Sequence, residues 1–134
     1  MEKFLITLFA VVAGAVGFLL ANFWFKPILR FKEIKSQVAS GLIFYANVIN
    51  ADNLNEEMKE RLLKRVEANR RHSADLSANY DELPKIYKYL LNRKGIYPKK
   101  ASKSLMGLSN TFEWRDAEKR VDEIKSNLGI KDSE

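Results

Sequence analysis

The hydrophobic pattern divides the chain in two. From Phe4 to Phe25 no side chain carries a charge. A helix needs ~20 apolar residues to cross the ~30 Å hydrocarbon core of a bilayer, and this run supplies them. In lipid every backbone amide must be bonded within the segment, so a helix is the expected form. Beyond the run, apolar residues recur every three or four positions, and no alternating stretch bounded by turns signals a strand. The pattern predicts an all-α chain. Residues 1–26 form a transmembrane anchor, 27–128 a small antiparallel bundle of three long helices and one short, and 129–134 a frayed tail.

Within the bundle, Pro27 suits the first position of a helix whose buried stripe is Ile28, Phe31, Ile34, Val38, Leu42, Tyr45 and Ile49. That helix can run on from the anchor with a kink at Pro27. Residues 50–55 read as a turn, and Asn53 with Glu56 resembles a helix-start capping pair. A second helix is expected over about 54–81, with Met58, Leu62, Val66, Asn69, Ser73, Leu76, Tyr80 and Leu83 on its inner face. Pro84 opens a short helix to Asn92, which Gly95 ends. The last helix is expected from Pro98 to Leu128. Its stripe runs through Ala101, Leu105, Leu108 and Phe112, then continues after a phase shift at Ala117, Val121, Ile124 and Leu128.

A cleaved signal peptide is the rival reading of the first run. The apolar stretch is longer than such peptides need, and Leu19 to Phe25 offers no cleavage pattern. Phe23, Trp24 and Phe25 suit a headgroup boundary, where Trp sits half in lipid with its N–H in reach of water. Lys26, Arg30 and Lys32 follow, with Lys35 beyond, whereas Glu2 and Lys3 balance before the run. Positive charge resists translocation, so the expected topology is an inner-membrane single pass with the N-terminus outside and the domain in the cytoplasm. Ala13, Gly17 and Ala21 place small side chains on one face of the anchor, as do Ala10 and Gly14. Such a face permits close helix–helix approach, although Gly and Ala are common in any membrane helix.

Charge adds a second argument. Lys85, Lys88, Arg93, Lys94, Lys99, Lys100 and Lys103 occupy residues 85–103 without an acid, interleaved with Tyr87, Tyr89 and Tyr97. The turn at 51–57 is acidic instead, with Asp52, Glu56 and Glu57. If consecutive helices are antiparallel, the basic segment returns to the membrane surface, where each base near anionic lipid contributes ~1 kcal/mol. Nucleic acid is the competing partner for such a patch, but the net charge of +6 is modest and no nucleic-acid motif is present.

The chemistry-bearing residues are few. His72 is the single histidine, and with Asp75 it makes two ligands where zinc takes three or four from protein. No glycine-rich phosphate loop and no strained nucleophile turn occurs, so no catalytic residue, metal, cofactor or small-molecule substrate is expected. The absence of cysteine fits a reducing compartment. Asn47, Asn69, Ser73 and Asn110 fall on or near the predicted buried faces. They read either as a register-setting polar layer or as a small polar cavity.

Residues Ala68 to Tyr80, Leu83-Pro84 and Ser104 to Asn110 resemble an uncharacterised family of small bacterial proteins with one N-terminal membrane helix and a cytoplasmic helical domain. The resemblance covers most of 28–128 and implies no activity. The expected function is a membrane-anchored helical adaptor, or a small subunit of a membrane complex, acting through a protein partner or as a homo-oligomer. The alternative is a module that binds anionic lipid or nucleic acid through 85–103.

Overall fold

In a computed structural model, which describes residues 1–46, 55–111 and 113–132, the charge-free run is helix α1, Glu2–Leu20. It continues through a π turn, Ala21–Phe25, into α2, Lys26–Phe44. The three pieces form one helix of 43 residues, Glu2–Phe44, about 65 Å long at 1.5 Å per residue. It is long and apolar enough at its N-terminal end to cross a membrane, and α1 buries no residue against the rest of the chain.

The π turn accounts for Pro27. A proline inside a helix lacks an N–H and its ring clashes with the carbonyl four residues back. Here the Lys26 N–H bonds the Ala21 carbonyl, five residues back, which widens the turn just before the proline. The expected kink at Pro27 is thus taken up by a π turn, and α2 does not start anew there.

Helix α3, Glu56–Glu82, is capped by Asn55, whose side chain accepts from the Met58 N–H at 2.8 Å. The expected cap, Asn53, lies outside the described residues, as do Asn47, Ile49, Asp52 and Phe112. Helix α4, Lys85–Arg93, is followed by Gly95 at φ +74°, and the Ile96 N–H closes back on the Leu91 carbonyl at 2.9 Å.

The expected single helix from Pro98 to Leu128 is two helices, α5 Pro98–Ser109 and α6 Trp114–Leu128. The phase shift in the apolar stripe marks the break. Helix α6 runs antiparallel to α5. Ser104 meets Glu123, and the Tyr97 N–H meets the Asn127 carbonyl at 2.7 Å. The chain therefore does not end pointing away from the apolar helix. Leu128 returns to the level of Ile96 and Lys35, beside Gly129.

The domain is a four-helix arrangement of α2, α3, α5 and α6, each antiparallel to its chain neighbour. Asn79 near the end of α3 meets Pro27 at the start of α2, and Ser73 of α3 meets Ser102 of α5. The inner positions are Phe31, Ile34, Val38, Leu42, Leu76, Leu83, Leu91, Ala101, Leu105, Leu108, Ala117, Ile124 and Leu128, one contiguous core. Each buried apolar side chain contributes about 1.5–3 kcal/mol relative to an exposed one. The expected frayed tail is held at its start. Gly129 sits at φ +65°, Ile130 packs on the core, and the Ile130 N–H bonds the Lys125 carbonyl at 2.9 Å.

Candidate functional site

Two features stand out: the end of the bundle nearest the apolar helix, and a cavity toward the opposite end. At the near end, α4 crosses from the end of α3 to the end of α6. Tyr87 stacks edge-on against Phe31 at 6.2 Å between ring centroids, and Leu91 is buried. Burial pushes the Tyr87 hydroxyl above its ordinary pKa of 10. The other side of α4 faces out. Ile86 is 60% exposed, Tyr89 62% and Leu90 45%, at the i, i+3, i+4 spacing of one helical face.

Lys85, Arg93 and Lys94 flank that face, all exposed. Among the described residues none of the three makes an ion pair. The other bases of the segment are differently placed. Lys99 pairs with Asp81 at 3.0 Å and donates to the Ser77 hydroxyl at 2.9 Å. Lys88 lies 4.9 Å from the Tyr80 ring centroid, and Lys100 lies 4.5 Å from that of Tyr97. Lys103 is exposed about one turn further along α5 than Lys99. Asp81 and Glu82, at the end of α3, are acids at this same end that a count over 85–103 leaves out.

The boundary residues sit just before. Phe23, Trp24 and Phe25 are exposed, and Lys26 donates to the Asn22 side chain at 2.6 Å. Arg30 is engaged by Glu33 at 3.0 Å and Asp75 at 3.8 Å, while Lys32 is exposed. Ala13, Gly17 and Ala21 are exposed, with nothing within 4 Å of a Cβ built on Gly17.

The polar positions divide. Ser73 and Ser102 form a reciprocal pair: each hydroxyl donates to the other's carbonyl at 2.7 Å, and the two oxygens lie 3.0 Å apart. Two small side chains let α3 and α5 approach and pin their register. Asn69 is buried, and its Nδ2 has no partner among the described residues. Asn110, expected to be buried, is exposed. It caps the end of α5 in the turn that the single-helix reading overlooked, and its Oδ1 accepts from Arg70 at 3.2 Å.

Arg65 was not among the expected site residues. It is 2% exposed and donates from Nη2 to the Thr111 carbonyl at 3.0 Å, while its Nε has no partner among the described residues. Burial lowers its pKa. It stands four residues before Asn69, so an extension of the inner stripe through 62, 65, 69 and 73 places it inside. Arg65 and Asn69 line a cavity of about 520 Å³ with Leu42, Tyr45, Trp114 and Val121. Likewise Ile86, Tyr89 and Leu90 were legible as a second, outward stripe on a short basic helix.

The chain matches no protein-family model, no curated protein and no solved structure. Its functional reading rests on geometry and charge.

Proposed function

We propose that the chain is a single-pass membrane protein. Its N-terminus lies outside, and its cytoplasmic four-helix domain docks α4 on the bilayer as a membrane-anchored adaptor or small subunit of a membrane complex. The observation that carries this is the coincidence at one end of three features. Helix α1 leaves the bundle there, the Ile86–Tyr89–Leu90 face is uncovered there, and Lys85, Arg93 and Lys94 flank it. An amphipathic helix lying in the interface needs an apolar face to enter the headgroup region and bases to meet anionic lipid. The exposed aliphatic pair Ile86 and Leu90 favours lipid over nucleic acid, which stacks on aromatic rings.

The chain has no cysteine, so single labels are clean. With the full chain in nanodiscs containing anionic lipid, an environment-sensitive fluorophore on Leu90→Cys should emit as if in lipid. One on Leu63→Cys, exposed on α3, should emit as if in water. If both report water, the docking reading is wrong. If Leu90 reports lipid but N-terminal labels are protected from an external reagent only in right-side-out vesicles, docking stands and the topology is reversed.

A further inference from the structure

We propose that the groove at the far end of the bundle receives a basic amphipathic helix of a protein partner, its apolar side chains in the cavity and its bases on Glu118 and Asp122. This site rests on the adaptor reading and is where that adaptor meets its partner. Ile43 stands seventeen residues beyond Lys26, about 25 Å along the helix at 1.5 Å per residue. A bilayer whose surface lies at Lys26 does not reach it. Yet Ile43 is 75% exposed, Phe44 66% and Trp114 50%, and Ile43 and Trp114 both line the cavity of about 520 Å³. Large apolar side chains grouped in this way mark a surface that another molecule covers, and Trp is among the commonest anchors of protein interfaces. Leu42, Leu108 and Val121 line the cavity behind them. A small molecule in the cavity leaves the rim wet, whereas a helix laid along the groove covers rim and cavity together.

Charge fixes the sign of the partner. Trp114, Glu118, Val121 and Lys125 recur at i, i+4, i+7 and i+11 on α6, and with Asp122 they form the face it turns to the cavity. Glu118 and Asp122 are exposed, and among the described residues neither makes an ion pair. Lys125 is held by Asp132 at 2.6 Å. Arg65 is buried with its Nη2 on the Thr111 carbonyl, out of a partner's reach. The charge left to a partner at this groove is therefore that of the two acids. They stand one turn apart, so a helix with bases at i and i+4 meets both while its apolar stripe faces the cavity. Such rim pairs select the partner more than they tighten its binding.

The test uses a synthetic alanine-based helix with leucines at i, i+3 and i+7 and lysines beside them, and a counterpart with glutamates for the lysines. The chain has two tryptophans, so a Trp24→Phe background leaves Trp114 as the sole reporter, and neither peptide carries one. With the full chain in nanodiscs of zwitterionic lipid, the lysine peptide should change Trp114 emission saturably. The glutamate peptide should need at least about fivefold more, the range of two exposed ion pairs. Glu118→Gln with Asp122→Asn should abolish that preference, and Ile43→Ser, at an exposed position, should weaken both peptides. No saturable response, equal affinity for the two peptides, or a preference that survives the double variant overturns the proposal. Trp114 shielded from acrylamide in nanodiscs holding two copies, but not in those holding one, assigns the groove to a second copy and overturns it too. The Leu90→Cys label, read in anionic nanodiscs as above, separates the two readings. Lipid-like emission there with no Trp114 response sinks the groove and leaves the docking of α4, and water-like emission with the expected Trp114 response does the reverse.

Discussion

Asn79 Nδ2 donates to the carbonyl of Pro27 at 3.0 Å across 52 residues of sequence. This bond ties the end of α3 to the point where the apolar helix becomes part of the bundle. Asn79 is buried, and among the described residues its Oδ1 has no partner, so its donor side holds the amide there.

Replacing Asn79 should therefore loosen the bundle where it meets the apolar helix. Asn79→Ala should cost about 1–3 kcal/mol, the range for a buried hydrogen bond lost. Asn79→Asp should cost more at neutral pH, because a carboxylate cannot donate to Pro27 and would be charged in a buried place. Denaturant midpoints of the full chain in detergent measure both. Equal stability of Asn79→Asp and the parent would show that the bond contributes nothing.

The serine pair makes a coupling prediction. Ser73→Ala and Ser102→Ala each remove half of a reciprocal arrangement, and the double variant should cost less than the sum of the two. The expected interaction energy is about 0.5–1.5 kcal/mol, read from a double-mutant cycle. Ser73→Leu should be worse than either alanine. It forces a large side chain between helices brought close by two small ones, a strain of about 1–3 kcal/mol.

His72 makes stability depend on pH. The half-buried imidazole has a pKa below the ordinary 6.5, lowered first by burial, raised in part by Asp75, and lowered again by Arg71. Above 6.5 it is neutral in both folded and unfolded chains, and its contribution is fully present. As pH falls below that value, the unfolded chain takes up the proton first, so stability declines until the folded-state pKa is passed. His72→Gln should remove the part of the slope that sets in as pH falls through 6.5. An unchanged slope would assign the dependence to the carboxylates.

Three glycines should rank by geometry. Gly129→Ala meets both a left-handed backbone, φ +65°, and the Ile96 side chain at 3.2 Å. Gly95→Ala meets only the backbone cost at φ +74°, about 1–2 kcal/mol. Gly41→Ala meets only His72 at 3.5 Å, an ordinary contact, and should gain about 0.5–1 kcal/mol from helix propensity. Thermal midpoints should fall in the order Gly41→Ala, Gly95→Ala, Gly129→Ala. Any other order would mean that the ends of α4 and α6 are not held as described.

Much of this chain could be read from local pattern. The apolar run, the inner stripe of α2 through Phe31, Ile34, Val38 and Leu42, and the stop at Gly95 all follow from periodicity and backbone preference. These depend on residues a few positions apart. That α5 and α6 are two helices was visible only as a phase shift, because the composition is the same on either side of it. The seven bases of 85–103 were legible as a cluster. That Lys99 is tied to Asp81, while Lys85, Arg93 and Lys94 flank an apolar face, was not.

The sequence by itself determined that the protein is helical, that its first segment is apolar enough for a membrane, and which end of the domain is basic. It did so because helical period and charge are short-range properties of the chain. Only the tertiary structure decided that α6 turns back, that Ser73 finds Ser102, and that Arg65 is enclosed with its Nη2 on the Thr111 carbonyl. A side chain's partner depends on which helices meet and at what register. That is set by the packing of the whole core, where residues dozens of positions apart compete for the same space.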